Sequence, residues 1–73
     1  MQKIVECVPN FSEGRDLALI EKITSSITQV EGVTLLDVDP GADTNRTVVT
    51  FVGGPEAAVE AAFQAIKRAS ELI

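Results

Sequence analysis

The possible folds of this chain are limited most by two β-rich runs at residues 33–39 and 46–52, separated by Pro40-Gly41-Ala42-Asp43-Thr44 and Asn45. A parallel crossover needs a dozen or more residues. A link this short instead turns the second run back on the first as an antiparallel hairpin. Strict alternation along the first run puts Val33, Leu35, Asp37 and Asp39 on one face. Thr34, Leu36 and Val38 then share the other. The lower half is apolar and reads as buried, while the top of one face turns acidic.

Helical periodicity flanks this hairpin. Leu17, Ile20, Ile23, Ile27 and Val30 recur at three- and four-residue spacing, with Asp16 as a plausible N-cap and Gly32 as the C′ residue. This predicts a helix ending near Glu31, with Arg15, Glu21, Lys22 and Gln29 left wet. After the hairpin, Gly53-Gly54-Pro55 ends the strand. Pro55 suits the first helical position, and Glu56 complements the positive helix end. Val59, Ala62, Phe63, Ile66, Ala69 and Ile73 are expected to form this helix's inward face. Its many alanines would let it lie close to a sheet.

Ahead of both helices, residues 3–8 are apolar on both faces apart from Glu6, which reads as a central strand. Pro9 cannot donate to a ladder and is expected to end it. A polar loop, Asn10-Phe11-Ser12-Glu13-Gly14, follows. The order is β-α-β-β-α, an α/β class chain of α+β sandwich type. It forms a ferredoxin-like half, with both helices on one sheet face and the last strand missing. The first and third strands are expected to pair in parallel, with the first at the centre. An open edge and an uncovered sheet face are liabilities for a free-standing chain. Residues 1–73 therefore read as a single, truncated subdomain, the leading piece of something longer or a piece that pairs with another chain.

A chain of 73 residues buries only about 60% of its unfolded surface, and its one cysteine, Cys7, can form no internal disulfide. The net charge of −5 argues against nucleic-acid binding. No apolar run approaches the ~20 residues that span a bilayer, and the start lacks a signal-peptide core, so the expected location is cytoplasmic. Histidine is absent, which removes histidine acid–base catalysis and histidine metal ligation from these residues. No Walker A or G-x-G-x-x-G pattern occurs, and no metal site is expected.

Two clusters carry the remaining chemistry. Asn10, Phe11 and Ser12 could hold a flat heteroaromatic ligand by stacking and polar contacts. The plainer alternative folds Phe11 into the core and uses Asn10 or Ser12 as a turn cap. Asp37, Asp39, Asp43, Thr44, Asn45 and Arg46 form the second. Arg46 is a fixed cationic fork suited to a carboxylate. The plainer alternative is an Asp–Arg surface pair worth at most ~1 kcal/mol.

Glu6-Cys7-Val8-Pro9-Asn10-Phe11-Ser12-Glu13-Gly14, Leu35-Leu36-Asp37-Val38-Asp39, Thr44-Asn45-Arg46-Thr47-Val48 and Thr50-Phe51-Val52-Gly53 with Pro55-Glu56 resemble the N-terminal subdomain of glutamate formimidoyltransferase. The same domain begins formimidoyltransferase-cyclodeaminase. The resemblance covers essentially the whole chain. It implies transfer of a formimino group from N-formimino-L-glutamate to tetrahydrofolate in histidine degradation. It also implies a homo-oligomer, and a second subdomain or another chain whose sheet covers the open face to form a substrate tunnel. The tunnel wall would take Asn10, Phe11, Ser12, Asp39, Asn45 and Arg46, with Asp39 as an orienting polar group. In the family the proton donor is a histidine beyond the second helix, so no catalytic residue carries over to this chain, and the piece alone is expected to be inactive. A non-catalytic folate- or partner-binding module of the same fold is the alternative. The two clusters are expected at opposite strand ends.

Overall fold

The computed structural model describes residues 3–73. The elements run β1 (Val5–Cys7), β2 (Asn10–Phe11), α1 (Leu17–Thr28), β3 (Val33–Gly41), β4 (Arg46–Gly53) and α2 (Pro55–Leu72). The class is the expected mixed one, with two helices against one antiparallel sheet. The pairing differs from expectation. Central β4 takes β3 along one side and β1 and β2 along the other, all antiparallel. The reason is directional. The α1 crossover returns the chain so that β3 runs with β1, and the hairpin then sends β4 against both. The first strand is therefore an edge among the described residues, and its partner is antiparallel.

Pro9 interrupts the first strand without ending it. Cys7 pairs with Phe51 before the break, and Asn10 pairs with Val48 after it. Three residues on along the first strand match three residues back along β4, so the register is unbroken. The Val49 amide donates to the Pro9 carbonyl at 2.9 Å. Only the reciprocal bond is lost, because proline has no N–H. Asn10 and Phe11 belong to the sheet rather than to a loop.

Residues on β4 alternate. Thr47, Val49, Phe51 and Gly53 are buried beneath the helices, while Arg46 and Val48 are exposed on the opposite face. On β3 the register shifts between Leu35 and Asp37. This bulge corrects the strict alternation read from the sequence. Val33, Leu35 and Val38 oppose the buried positions Gly53, Phe51 and Val49; Thr34, Asp37 and Asp39 oppose Val52, Thr50 and Val48. One inserted residue, Leu36, thus returns Val38 to the core side and keeps both aspartates on the open side.

In α1 the Asp16 side chain accepts from the Leu19 amide at 3.1 Å, the capping bond that starts the helix. Ile20, Ile23, Thr24 and Ile27 are buried, whereas Leu17 is exposed. The helix ends at Thr28, earlier than periodicity predicts, and Gly32 takes φ +89° before β3. In α2 the buried residues are Ala58, Ala61 and Ala65, not the larger apolar side chains. This helix carries two apolar faces, and only the alanine face permits close approach to Phe51 and Val49, which are fully buried. Val59, Phe63, Ile66 and Ile73 remain exposed.

Candidate functional site on the uncovered sheet face

The face of the sheet opposite the helices forms rows across the strands. Asp39 pairs with Val48, and Val48 pairs on its other side with Asn10. The next row brings Asp37 to Thr50, and the unbroken register puts Val8 beyond it. Thr34 and Glu6 flank Val52. Neighbouring strands lie about 4.8 Å apart, so the carboxylate of Asp39 and the amide of Asn10 rise from either side of Val48 at roughly twice that backbone spacing. Val8 and Val48 are 52% and 38% exposed, giving an apolar floor between polar walls.

Arg46 joins the two clusters that the sequence set apart. Its Nη1 donates to Asn10 Oδ1 at 3.0 Å. Antiparallel pairing brings the end of the first strand beside the start of β4, so the expected separation at opposite strand ends is corrected to direct contact. The simple Asp–Arg pair is not formed. Among the described residues the only ion pair is Arg68 with Glu71. Arg46 is thus oriented by a neutral partner and keeps donors for a carboxylate. No three potential metal-ligating side chains converge among the described residues.

The other site residues divide by role. Phe11 pairs with buried Thr47 and packs half-buried against the core beneath the helices. It lies on the opposite face from Asn10, which is the plainer of the two readings of this ring, because β alternation turns successive side chains apart. Ser12 is exposed at a bend after β2. Asn45 has φ 53° and accepts the Gly14 amide on its Oδ1 at 3.0 Å, so that oxygen is used internally.

This bond belongs to a clasp between the first loop and the hairpin turn. The buried Thr47 hydroxyl donates to the Glu13 carbonyl. Arg15 Nε donates to the Ala42 carbonyl at 2.9 Å. Glu13 Oε2 accepts the amides of Arg15 and Asp16, each at 3.0 Å. Gly14 sits so close that an added Cβ would lie 2.3 Å from the Gly41 carbonyl oxygen and 2.6 Å from the Arg46 nitrogen. The two most distinctive sequence runs therefore lock to each other and fix where Asn10 and Arg46 meet. Val8, Val48 and Thr50 were not singled out by sequence reasoning. The signal for Val48 and Thr50 was present in the alternation of residues 46–52, whose even positions share a face with Arg46.

The formiminotransferase domain, N-terminal subdomain, matches residues 4–73. The chain belongs to this family. It is 62% identical over all 73 residues to formimidoyltransferase-cyclodeaminase of Gallus gallus, spanning 14% of that protein. The corresponding protein of Dictyostelium discoideum is 59% identical over the same length, again with 14% spanned. Glutamate formimidoyltransferase of Streptococcus pyogenes serotype M1 is 51% identical across the whole chain, which spans 24% of it. The chain thus spans less than a quarter of the length of these relatives. No helix among the described residues is long and apolar enough to cross a membrane.

Proposed function

We propose that this chain supplies one wall of the substrate site of a glutamate formimidoyltransferase, with tetrahydrofolate and N-formimino-L-glutamate meeting on the uncovered sheet face. The observation that carries this reading is the Arg46 guanidinium, held by Asn10 and paired with no described carboxylate, on the same face as Asp39. A formimino group is an amidine, which is cationic at neutral pH. Asp39 holds that cation near the middle of the face, and Arg46 takes a carboxylate of the glutamate moiety in a bidentate fork. The apolar floor of Val8 and Val48 accepts the flat pterin, a task that the core placement of Phe11 leaves to the valines.

The reaction then follows from the chemistry of the substrates. A folate nitrogen attacks the amidine carbon, giving a tetrahedral intermediate. The bond from that carbon to the glutamate nitrogen breaks as the nitrogen gains a proton, and the attacking nitrogen gives one up. The leaving nitrogen needs a general acid, and this chain has no histidine. The family resemblance gives this role to a histidine in the part of the transferase outside these residues, with Asp39 acting as an orienting group. That part also supplies the surface closing the open face, within a cytoplasmic homo-oligomer, and residues 1–73 act as one subdomain of it.

The test replaces Arg46 by Ala in a full-length transferase carrying this chain in place of the matching segment of the Streptococcus pyogenes enzyme. The expected result is a KM for formiminoglutamate raised by about 10- to 100-fold, the equivalent of a lost charge-assisted hydrogen bond, with an unchanged melting temperature. Unaltered affinity for formiminoglutamate would remove Arg46 from the site.

A further inference from the structure

Aspartate is a poor residue for the middle of a strand, and Asp37 sits midway along β3. There it neither caps a helix nor closes a turn, the local uses that favour this side chain. No cation neutralises it. Across β4 its partner is Thr50, Val8 lies beyond, and the only ion pair among the described residues is Arg68 with Glu71. Strict alternation from core-facing Leu35 would carry Asp37 beneath the helices. The register shift between Leu35 and Asp37 turns it instead to the open face, where it is exposed. Bulges re-aim side chains in this way beside functional sites. The fold gives up regular pairing at one residue and presents Asp37, together with Asp39, on the face where the substrates are proposed to meet.

The even-numbered residues of β4 mark levels along that face. Arg46, Val48 and Thr50 follow at intervals of about 7 Å, and Asp39 and Asp37 stand beside the second and third. In the proposed arrangement the Arg46 level takes the glutamate carboxylate and the Asp39 level the amidine. Asp37 is the next level, about 7 Å past the amidine and about 14 Å from Arg46. One such step is close to the length of a fused two-ring heterocycle. A pterin whose ring nitrogen meets the amidine carbon beside Asp39 therefore extends its pyrimidine end to Asp37, across the floor of Val8 and Val48. That end carries a ring N–H and a 2-amino group side by side, two parallel donors spaced as in half of a guanidinium. A carboxylate accepts both at once. Glu6 stands one level further, beside Val52 on the other flank, and the Asn10 oxygen is already held by Arg46.

We infer that Asp37 reads the pyrimidine edge of the pterin, accepting the ring N–H and one hydrogen of the 2-amino group. It thereby selects 2-amino-4-oxo pterins over analogues that lack the amino group. The levels also fix a direction: glutamate carboxylate at Arg46, amidine at Asp39, pyrimidine edge at Asp37. The inference rests on the substrate face proposed above and deepens it by naming what orients the folate.

The test compares tetrahydrofolate with its 2-desamino-2-methyl analogue as acceptors in the full-length chimera. The unaltered chimera should prefer tetrahydrofolate by about 10- to 100-fold in kcat/KM, the effect of one lost hydrogen bond to a charged group. Asp37→Asn sets a donor against the amino group and should reduce the preference to within about 3-fold. The change should fall on the KM for tetrahydrofolate and leave that for formiminoglutamate unaltered. Glu6→Gln removes the same charge from the same face, one level away, and should keep the full preference. An undiminished preference in Asp37→Asn overturns the inference, as does an unaltered chimera that uses both acceptors equally. So does an equal fall in Glu6→Gln, which assigns the effect to the charge of the face as a whole. Should the chimera prove inactive, the same segment is placed in the formimidoyltransferase-cyclodeaminase of Gallus gallus, 62% identical over these residues. Arg46→Ala separates the two kinds of failure. If it raises the KM for formiminoglutamate while Asp37→Asn changes nothing, the substrate face stands and the Asp37 assignment falls. If neither substitution has an effect, the face itself falls.

Discussion

Replacing Gly14 by Ala should open the clasp that aligns the first strand with the hairpin. The added Cβ would sit 2.3 Å from the Gly41 oxygen, 2.6 Å from the Arg46 nitrogen and 2.7 Å from the Arg46 oxygen. All three are backbone atoms of the hairpin, so no side-chain rotation relieves the clash. The loop must retreat, which breaks the Gly14–Asn45 bond and strands the buried Thr47 hydroxyl without its Glu13 acceptor. A lost hydrogen bond contributes about 1 kcal/mol, and an unsatisfied buried hydroxyl about 1–3 kcal/mol. The expected destabilisation is therefore about 3 kcal/mol, or roughly 12–24 °C in a domain of this size. Thermal unfolding followed by circular dichroism measures it. Gly54 provides the control, since an added Cβ there meets nothing within 4 Å and its φ is −63°. Gly54→Ala should stay within about 1 kcal/mol of the parent. A Gly14→Ala protein as stable as Gly54→Ala would refute the clasp.

Four further substitutions separate the contributions. Asn45→Gly keeps the left-handed backbone but loses the bond to Gly14, and should cost about 1 kcal/mol by urea denaturation. Asn45→Ala should cost about 1 kcal/mol more, because a Cβ without the amide is strained at φ 53°. Asp16→Ala removes the cap of α1 and should lower stability by about 1 kcal/mol, with a matching loss of helical signal near the midpoint. Phe51→Ala empties the centre of the core and should cost about 3–5 kcal/mol, enough to leave a chain of this size largely unfolded at 25 °C.

The element order was readable because its signals are local. The three- and four-residue spacing in α1, the cap at Asp16, Pro55 at the start of α2 and the short hairpin link each act within a few residues. What local pattern could not reveal was choice between alternatives of similar polarity. Helix α2 has an alanine face and a Val-Phe-Ile face, of which the Val-Phe-Ile face is the more hydrophobic. The sheet selects the alanine face because closeness, rather than side-chain size, decides the fit. The bulge at Leu36 is invisible to an alternation rule, yet it sets which face Asp37 and Asp39 share. Pro9 reads as a stop, but its missing donor costs only one ladder bond.

The arrangement of the proposed site residues was less legible than the element order. Of the residues proposed for the site, Asn10, Asp39 and Arg46 all face away from the helices. Their adjacency required the antiparallel register of β1 and β2 against β4, which no stretch of sequence displays by itself. The two readings of Phe11 stayed open while Asn10 and Phe11 were read as loop, where side-chain direction is free; as strand, where it alternates, they turn the ring to the core. Asn45 and Gly14 belong to the most distinctive runs, yet their geometry serves the fold by holding those runs together.

The most direct test of the account is an amide chemical-shift titration of the full-length chimera with N-formimino-L-glutamate and tetrahydrofolate. Perturbations concentrated at Asn10, Asp39, Arg46 and Val48 are the predicted result. Perturbations confined to the groove between α1 and α2, around Ser25, Gln64 and Arg68, with the open sheet face unchanged, would contradict it.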